Sequence, residues 1–186
     1  MSFELAASLR RLRPQRPGAS LNRRLDSHLT FVDQQSASGA ELLLDTSVYI
    51  DVLQGRVPPA VEQLLTLRTL NHSAVALSEL THLFGRLDPS HAATKSALGQ
   101  LTGLINDIPE RRLLTPSLRT HGEAGMLAGL VARLTDRPHG SPLLNDAMLC
   151  LQAAETGRVL LTGNIADFDL LQQLVPSSAV LFYRRV

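Results

Sequence analysis

The sequence predicts an α/β protein, a three-layer α/β/α sandwich around a mostly parallel central sheet. Two observations carry this. Five short runs rich in Leu and Val, each bounded by turn or polar residues, have the length and composition of buried strands. Stretches with helical spacing lie between them, and alternation of the two patterns implies parallel strands joined by helical crossovers. The apolar runs are continuous rather than alternating, which suits a sheet covered on both faces.

In chain order the strands are expected at residues 41–45, 72–77, 112–115, 158–162 and 179–183. The first helical pattern, 58–70, opens with a proline, tolerated in a first helical turn, and carries leucines at 64, 65, 67 and 70. A second, 78–84, begins with Ser78, a favoured cap. Helices at 91–105, 117–134 and 142–154 follow, the last stopping at Gly157.

At 186 residues the chain has the length of one domain, and 44% hydrophobic residues suffice for a core. A net charge of +1 gives no bulk attraction for nucleic acid. The single cysteine, Cys150, excludes an internal disulfide and a cysteine-based zinc cluster; its apolar neighbours mark it as a buried thiol. No apolar run approaches the roughly 18 residues of a membrane span. No apolar stretch follows Arg10 and Arg11 as in a signal peptide, so a cytoplasmic protein is expected.

Residues 1–40 stand apart as an Arg-rich leader before a domain at 41–186. The leader carries Arg10, Arg11, Arg13, Arg16, Arg23 and Arg24 against Glu4, Asp26 and Asp33. Pro14, Pro17 and Gly18 interrupt any long helix, and 34–39 reads as a linker. A flexible or loosely docked leader, a basic arm for RNA, DNA or a protein, and a mis-assigned start all fit; for chemistry the segment is expected to be dispensable.

The acids provide the functional signal. Asp45 directly follows the first strand run, Glu79 the second, and Asp167 stands just past the fourth; Asp146 lies near the start of the helix before it. Open α/β sheets bind ligands at the carboxyl ends of their strands, so the four could meet at one sheet edge. Four carboxylates in one site repel, and a divalent cation relieves that repulsion. Mg²⁺ or Mn²⁺ takes hard oxygen ligands, and the expected reaction is phosphodiester hydrolysis. Each acid also has a structural reading: Asp45 as a helix cap, Glu79 as a first-turn acid, Asp146 on a helix surface, Asp167 at a helix start. Asp51 and Asp169 read as peripheral acids, Glu123 as solvated, and His82 as a packing or surface residue.

Four segments, in order, resemble the motifs of PIN domains, in particular VapC-type toxin ribonucleases of type II toxin–antitoxin systems. They are Leu43-Leu-Asp-Thr-Ser-Val-Tyr-Ile-Asp51, Ala76-Leu-Ser-Glu-Leu80, Leu144-Asn-Asp-Ala-Met-Leu149 running on to Gly157, and Leu161-Thr-Gly-Asn-Ile-Ala-Asp-Phe168. The resemblance spans about residues 41–186. It implies the PIN-like form of the sandwich and an acidic quartet of Asp45, Glu79, Asp146 and Asp167. Asp45 and Asp146 would be the principal metal ligands, and Glu79 would hold a second ion or orient a water. The fourth acid position falls at Asp167 or at Asn164. Thr162 and Asn164 would support the site, and Ser47 would bond a ligating carboxylate or a water. A homodimer, a cognate antitoxin and an RNA substrate are further implications.

Other classes fit less well. Haloacid-dehalogenase-type phosphatases need an Asp where Ser47 stands. No His-Glu-x-x-His pattern and no glycine-rich phosphate loop occurs. A catalytically silent PIN-like module binding RNA or protein remains open, as does a nuclease acting on DNA.

Overall fold

Leu42, Leu43 and Leu44 are at most 3% exposed and form the central strand β1 (Leu42–Leu44). Side chains alternate across a strand, so three consecutive leucines serve two cores. Leu42 and Leu44 pack into one cluster and Leu43 into the other. Burying each leucine is worth roughly 1.5–3 kcal/mol.

The computed structural model describes residues 3–15, 20–33, 38–135 and 141–186. Most of the expected linker, together with Arg16, Pro17 and Gly18, lies outside these residues. After β1 come α2 (Thr46–Leu53), α3 (Pro59–Leu67), β2 (Leu70–Ser73), α4 (Ala74–Arg86) and α5 (Thr94–Asn106). Then follow β3 (Leu113–Leu114), α6 (Leu118–Thr135), α7 (Ser141–Thr156), β4 (Val159–Thr162), α8 (Ile165–Leu174) and β5 (Ala179–Phe182). One further helix, α1 (Leu5–Leu12), precedes the sheet.

The five strands pair in the order β3-β2-β1-β4-β5, every pair parallel. Helices α2, α3 and α5 cover one face, and α6, α7 and α8 cover the other. This is the α/β/α sandwich expected from the alternating patterns. The chain builds outward from β1 to β3, then returns through α6 and α7 to place β4 on the other side of β1. The strand order therefore reverses between β1 and β4, and a crevice opens there at their carboxyl ends.

Two boundaries differ from the sequence reading in a way that moves the site. The second strand ends at Ser73, not at 77, because the Ser73 hydroxyl accepts the Val75 N–H (3.1 Å) and caps α4 there. Ser78, the expected cap, instead donates to the Val75 carbonyl within the helix. Helix α7 ends as its glycine predicts. Gly157 adopts φ +65°, and the Arg158 N–H closes the turn on the Ala153 carbonyl (3.0 Å).

Several described residues before β1 are tied to the body. Ser8 of α1 donates to Glu123 of α6 (2.7 Å), and Arg11 pairs with the same carboxylate. The Leu21 N–H bonds the Leu134 carbonyl (2.9 Å). Arg24 holds Asp169 of α8 through its backbone N–H (2.7 Å) and its Nε (2.5 Å). Residues 30–32 pair in parallel with β5, the Val32 N–H to the Phe182 carbonyl (2.8 Å) and the Phe182 N–H to the Thr30 carbonyl (2.9 Å). Glu123 and Asp169 are 2% and 0% exposed, which corrects their reading as solvated and peripheral acids. Both are buried because their cations arrive from the N-terminal segment. Among the described residues, no helix is long and apolar enough to cross a membrane.

A chain beginning at Gly39 would lose both ion pairs and uncover the core surface that Leu21, Leu29, Phe31 and Val32 pack against. Full burial of one large apolar side chain is worth roughly 1.5–3 kcal/mol. The truncated chain is therefore expected to unfold at markedly lower urea than the full chain, and Arg24→Ala alone to lower the midpoint measurably. Equal midpoints in urea titrations followed by circular dichroism would refute this.

Candidate functional site

The crevice at the strand-order reversal is an open cleft of about 550 Å³, and its wall includes Asp45, Glu79, Asp146 and Asp167. Four different helices or helix starts deliver them.

Asp45 ends β1 and caps α2. It is 3% exposed, and its backbone N–H is tied to the Leu161 carbonyl of β4 (3.1 Å). Two hydroxyls donate to its Oδ2, Ser47 Oγ at 2.5 Å and Thr162 Oγ1 at 2.7 Å. Backbone N–H groups of the β4–α8 turn set the direction of both. Gly163 N–H donates to Ser47 Oγ (3.0 Å), and Asn164 N–H donates to Thr162 Oγ1 (2.8 Å). With those lone pairs occupied, each hydroxyl proton goes to Asp45. The Oδ1 atom accepts no bond among the described residues, which leaves it for a ligand.

The turn depends on Gly163. A Cβ there would sit 2.9 Å from the ring of Tyr183, closer than side chains approach. Tyr183 in turn donates to Asp51 (2.8 Å).

Asp146 lies on α7 and is 7% exposed; its Oδ2 accepts from Asn164 Nδ2 (3.1 Å). The same amide donates to Asp167 Oδ2 (3.1 Å), so Asn164 stands between two carboxylates. The structure thus places both candidates for the fourth position in the cleft, with Asn164 bridging and Asp167 presenting a carboxylate. Glu79 is in the second turn of α4. Its Oε1 accepts from Asn145 (2.7 Å) and its Oε2 from Thr46. Asn145 and Thr46 are site residues that the sequence reading missed. Each adjoins a recognised acid in sequence, but nothing in the spacing shows that both reach across to Glu79.

Burial and mutual repulsion dominate the electrostatics. Asp146 is pushed up to about 9, first by burial and then by the charges of Asp45, Asp167 and Glu79, with only Asn164 opposing. Asp45 is also raised by burial, although Ser47 and Thr162 pull the other way. Two arginines, Arg23 and Arg185, reach the cleft wall, but each is engaged with another acid, Asp26 and Asp51 respectively.

Among the described residues no three His, Cys, Asp or Glu side chains stand close enough to ligate one ion together. The donor set nonetheless fits Mg²⁺ or Mn²⁺. The acids supply hard oxygens, and Mg²⁺ keeps several waters while taking only one or two carboxylates. An anionic cluster whose carboxylates are driven toward protonation is what a divalent cation relieves.

Beside this cleft, Asp51 is fully buried rather than peripheral. Arg185 Nε spans both its oxygens (2.9 and 2.8 Å), and Arg56 adds a third contact at 2.7 Å. Cys150 is buried against Ser178 (3.4 Å), and burial pushes its thiol up to about 12, as expected of an inert packing residue.

Comparison with solved structures agrees with this architecture. A chain in DNA-bound VapBC from Salmonella typhimurium matches with a TM-score of 0.55 at 20% identity, covering 77% of this chain and 98% of that one. VapBC2 from Rickettsia felis, bound to a DNA fragment from its promoter, gives 0.55 at 16%, over 76% and 98%. FitAcB from Neisseria gonorrhoeae gives 0.54 at 19%, over 75% and 96%. The fold is the PIN-type sandwich that the motifs imply. No protein-family profile matches the sequence, and no curated protein matches it.

The Asp51 cluster makes a pH prediction. Burial raises Asp51, but hydrogen bonds from Arg185, Tyr183 and Arg56 outweigh it and hold the carboxyl below its ordinary range. A lowered folded pKa contributes stability above the unfolded value, near 3.9, that disappears as pH falls through the folded value. Asp51→Asn should therefore lower Tm at pH 7 and flatten the loss of Tm below about pH 4. Parallel Tm profiles for variant and wild type would exclude this role.

Proposed function

We propose that this chain is a metal-dependent endoribonuclease and the toxin of a toxin–antitoxin pair. The observation that carries the nuclease reading is the convergence of Asp45, Glu79, Asp146 and Asp167 on one open cleft at the strand-order reversal. The likeness to VapBC and FitAcB assemblies supports the toxin reading and a cognate antitoxin as partner. A homodimer as the working form rests on the motif resemblance alone.

Asp45 and Asp146 would hold Mg²⁺ or Mn²⁺, with Asp167 or Glu79 completing a second position. The cation supplies charge that neutralises these carboxylates, polarises the phosphodiester and stabilises the departing oxygen. Ser47 and Thr162 fix the face that Asp45 presents. Asn164 keeps Asp146 and Asp167 apart while donating to both. Glu79, clamped by Thr46 and Asn145, retains a lone pair on each oxygen and can accept a proton from the attacking water. Water attacks phosphorus in line with the leaving sugar oxygen, the P–O bond breaks, and the proton released ends on the leaving group or in solvent.

A second reading, a silent module that binds RNA or protein, predicts binding without turnover. All four acids are present, and both oxygens of Glu79 and one of Asp45 are held by dedicated donors, which favours the enzyme.

The test is cleavage of a single-stranded RNA by the purified full chain in Mg²⁺ or Mn²⁺. Asp146→Asn is expected to reduce cleavage at least about a hundredfold, since one site residue of this kind is commonly worth 10²–10³. Its neutral amide relieves the repulsion, so without metal the variant should melt above wild type. Wild type should gain Tm on titration with Mn²⁺ by mass action, and Asp146→Asn should not. Wild-type cleavage by the variant, or no Mn²⁺-dependent gain in wild type, would overturn the assignment.

A further inference from the structure

A second cleft, of about 510 Å³, adjoins the acidic one and shares Thr46 and Glu79 with it. Its own basic residues are His82 and Arg86, both on the exposed side of α4. The basic residues of the first cleft are Arg23 and Arg185. Basic residues thus border both clefts, Arg23 and Arg185 the acidic one and His82 and Arg86 its neighbour.

This placement matters because the net charge is only +1. A polyanion approaching four carboxylates is repelled, so its attraction must come from cations standing locally beside them. Arg86 has no ion-pair partner among the described residues. Arg185 uses its Nε on Asp51, and its side chain remains 47% exposed.

Arg23 is held in place from both sides. The preceding residue, Asn22, offers its carbonyl to Gln173 Nε2 (3.0 Å), and the following residue, Arg24, is clamped to buried Asp169. The backbone at Arg23 is thereby fixed to α8, the helix that Asn164 caps and that carries Asp167. Arg23 reaches the wall of the acidic cleft from there and gives one Nη to exposed Asp26. A guanidinium has five N–H donors, so most of its capacity for phosphate remains.

We propose that the two clefts form one groove for single-stranded RNA, in which Arg23 and Arg86 position backbone phosphates on opposite sides of the acidic centre. The inference rests on the nuclease reading, and it gives the N-terminal segment a role in substrate binding as well as in stability. Both arginines are positioning residues, since neither touches the phosphate that reacts.

The test uses the full chain carrying Asp146→Asn, so that a fluorescein-labelled 12-nucleotide single-stranded RNA is bound and not cut. Arg23→Gln and Arg86→Gln are each expected to raise Kd five- to tenfold by anisotropy. Each should also lower the slope of log Kd against log salt by about 0.7, the value of one single-strand phosphate contact. Arg→Lys at either position should restore most of the affinity, because a phosphate contact needs charge more than a planar fork. Arg10→Gln, an exposed arginine on α1 outside both clefts, is the control and should bind as the parent does. With Asp146 intact, both Gln variants should raise KM and leave kcat unchanged.

Parent-like binding by either Gln variant overturns the groove, as does an equal loss in Arg10→Gln. Equal losses on a DNA strand of matched sequence overturn its assignment to RNA. Failure of the wild-type chain to cleave while these binding differences hold removes the nuclease reading and leaves the groove. Absence of any single-strand binding removes the groove.

Discussion

Carboxylates crowded at the end of one sheet repel one another, and burial intensifies that repulsion. The end of the sheet is organised around holding them there. The β4–α8 turn commits two backbone N–H groups to two hydroxyls so that both hydroxyls donate to Asp45. One amide, Asn164, serves two acids, and a second, Asn145, helps hold a third. Each of these donors, two hydroxyls and two side-chain amides, is neutral. Neutral donors orient an anion without cancelling it, so the site keeps its negative charge for something brought from outside. The arginines nearby hold other acids, and that division of labour preserves the charge of the cleft.

A separate set of carboxylates is treated in the opposite way. Asp51, Asp169 and Glu123 are buried directly against guanidinium groups. These pairs join segments distant in sequence: the C-terminus to α2, the N-terminal segment to α8, and α1 to α6. The same residue type thus has two uses in one chain, distinguished by whether its partner carries charge. The cations that fasten the outer segments also decide where those segments lie relative to the cleft.

Much of the architecture was legible because leucine and valine runs report buried parallel strands directly. Strands β1, β4 and β5 fall where the apolar runs place them. The second strand did not, because Ala74-Val-Ala-Leu77 is apolar enough to continue a strand while the Ser73 hydroxyl diverts it into a helix. That shift moves Glu79 from a strand end to the second helical turn, where Thr46 and Asn145 can clamp it. Helix α2 went unread beyond its Asp45 cap, being short and embedded in the motif. The four acids stood out through their order and their place after apolar runs. Burial of Asp51, Asp169 and Glu123 was not legible, since each has a partner that lies far off in the chain, 134, 145 and 115 residues away. No local pattern records a pairing of that range.

The lateral pairing of residues 30–32 with β5 has a consequence for how copies of this chain can meet. An open parallel sheet ends in unpaired N–H and C=O groups that invite another strand and, through it, aggregation. Here the β5 side is already covered by the chain's own N-terminal segment, and the opposite border, β3, is two residues long. Among the described residues neither margin offers a long ladder that a neighbour could extend. Contacts between copies would then fall to helical surfaces, where side chains rather than backbone choose the partner.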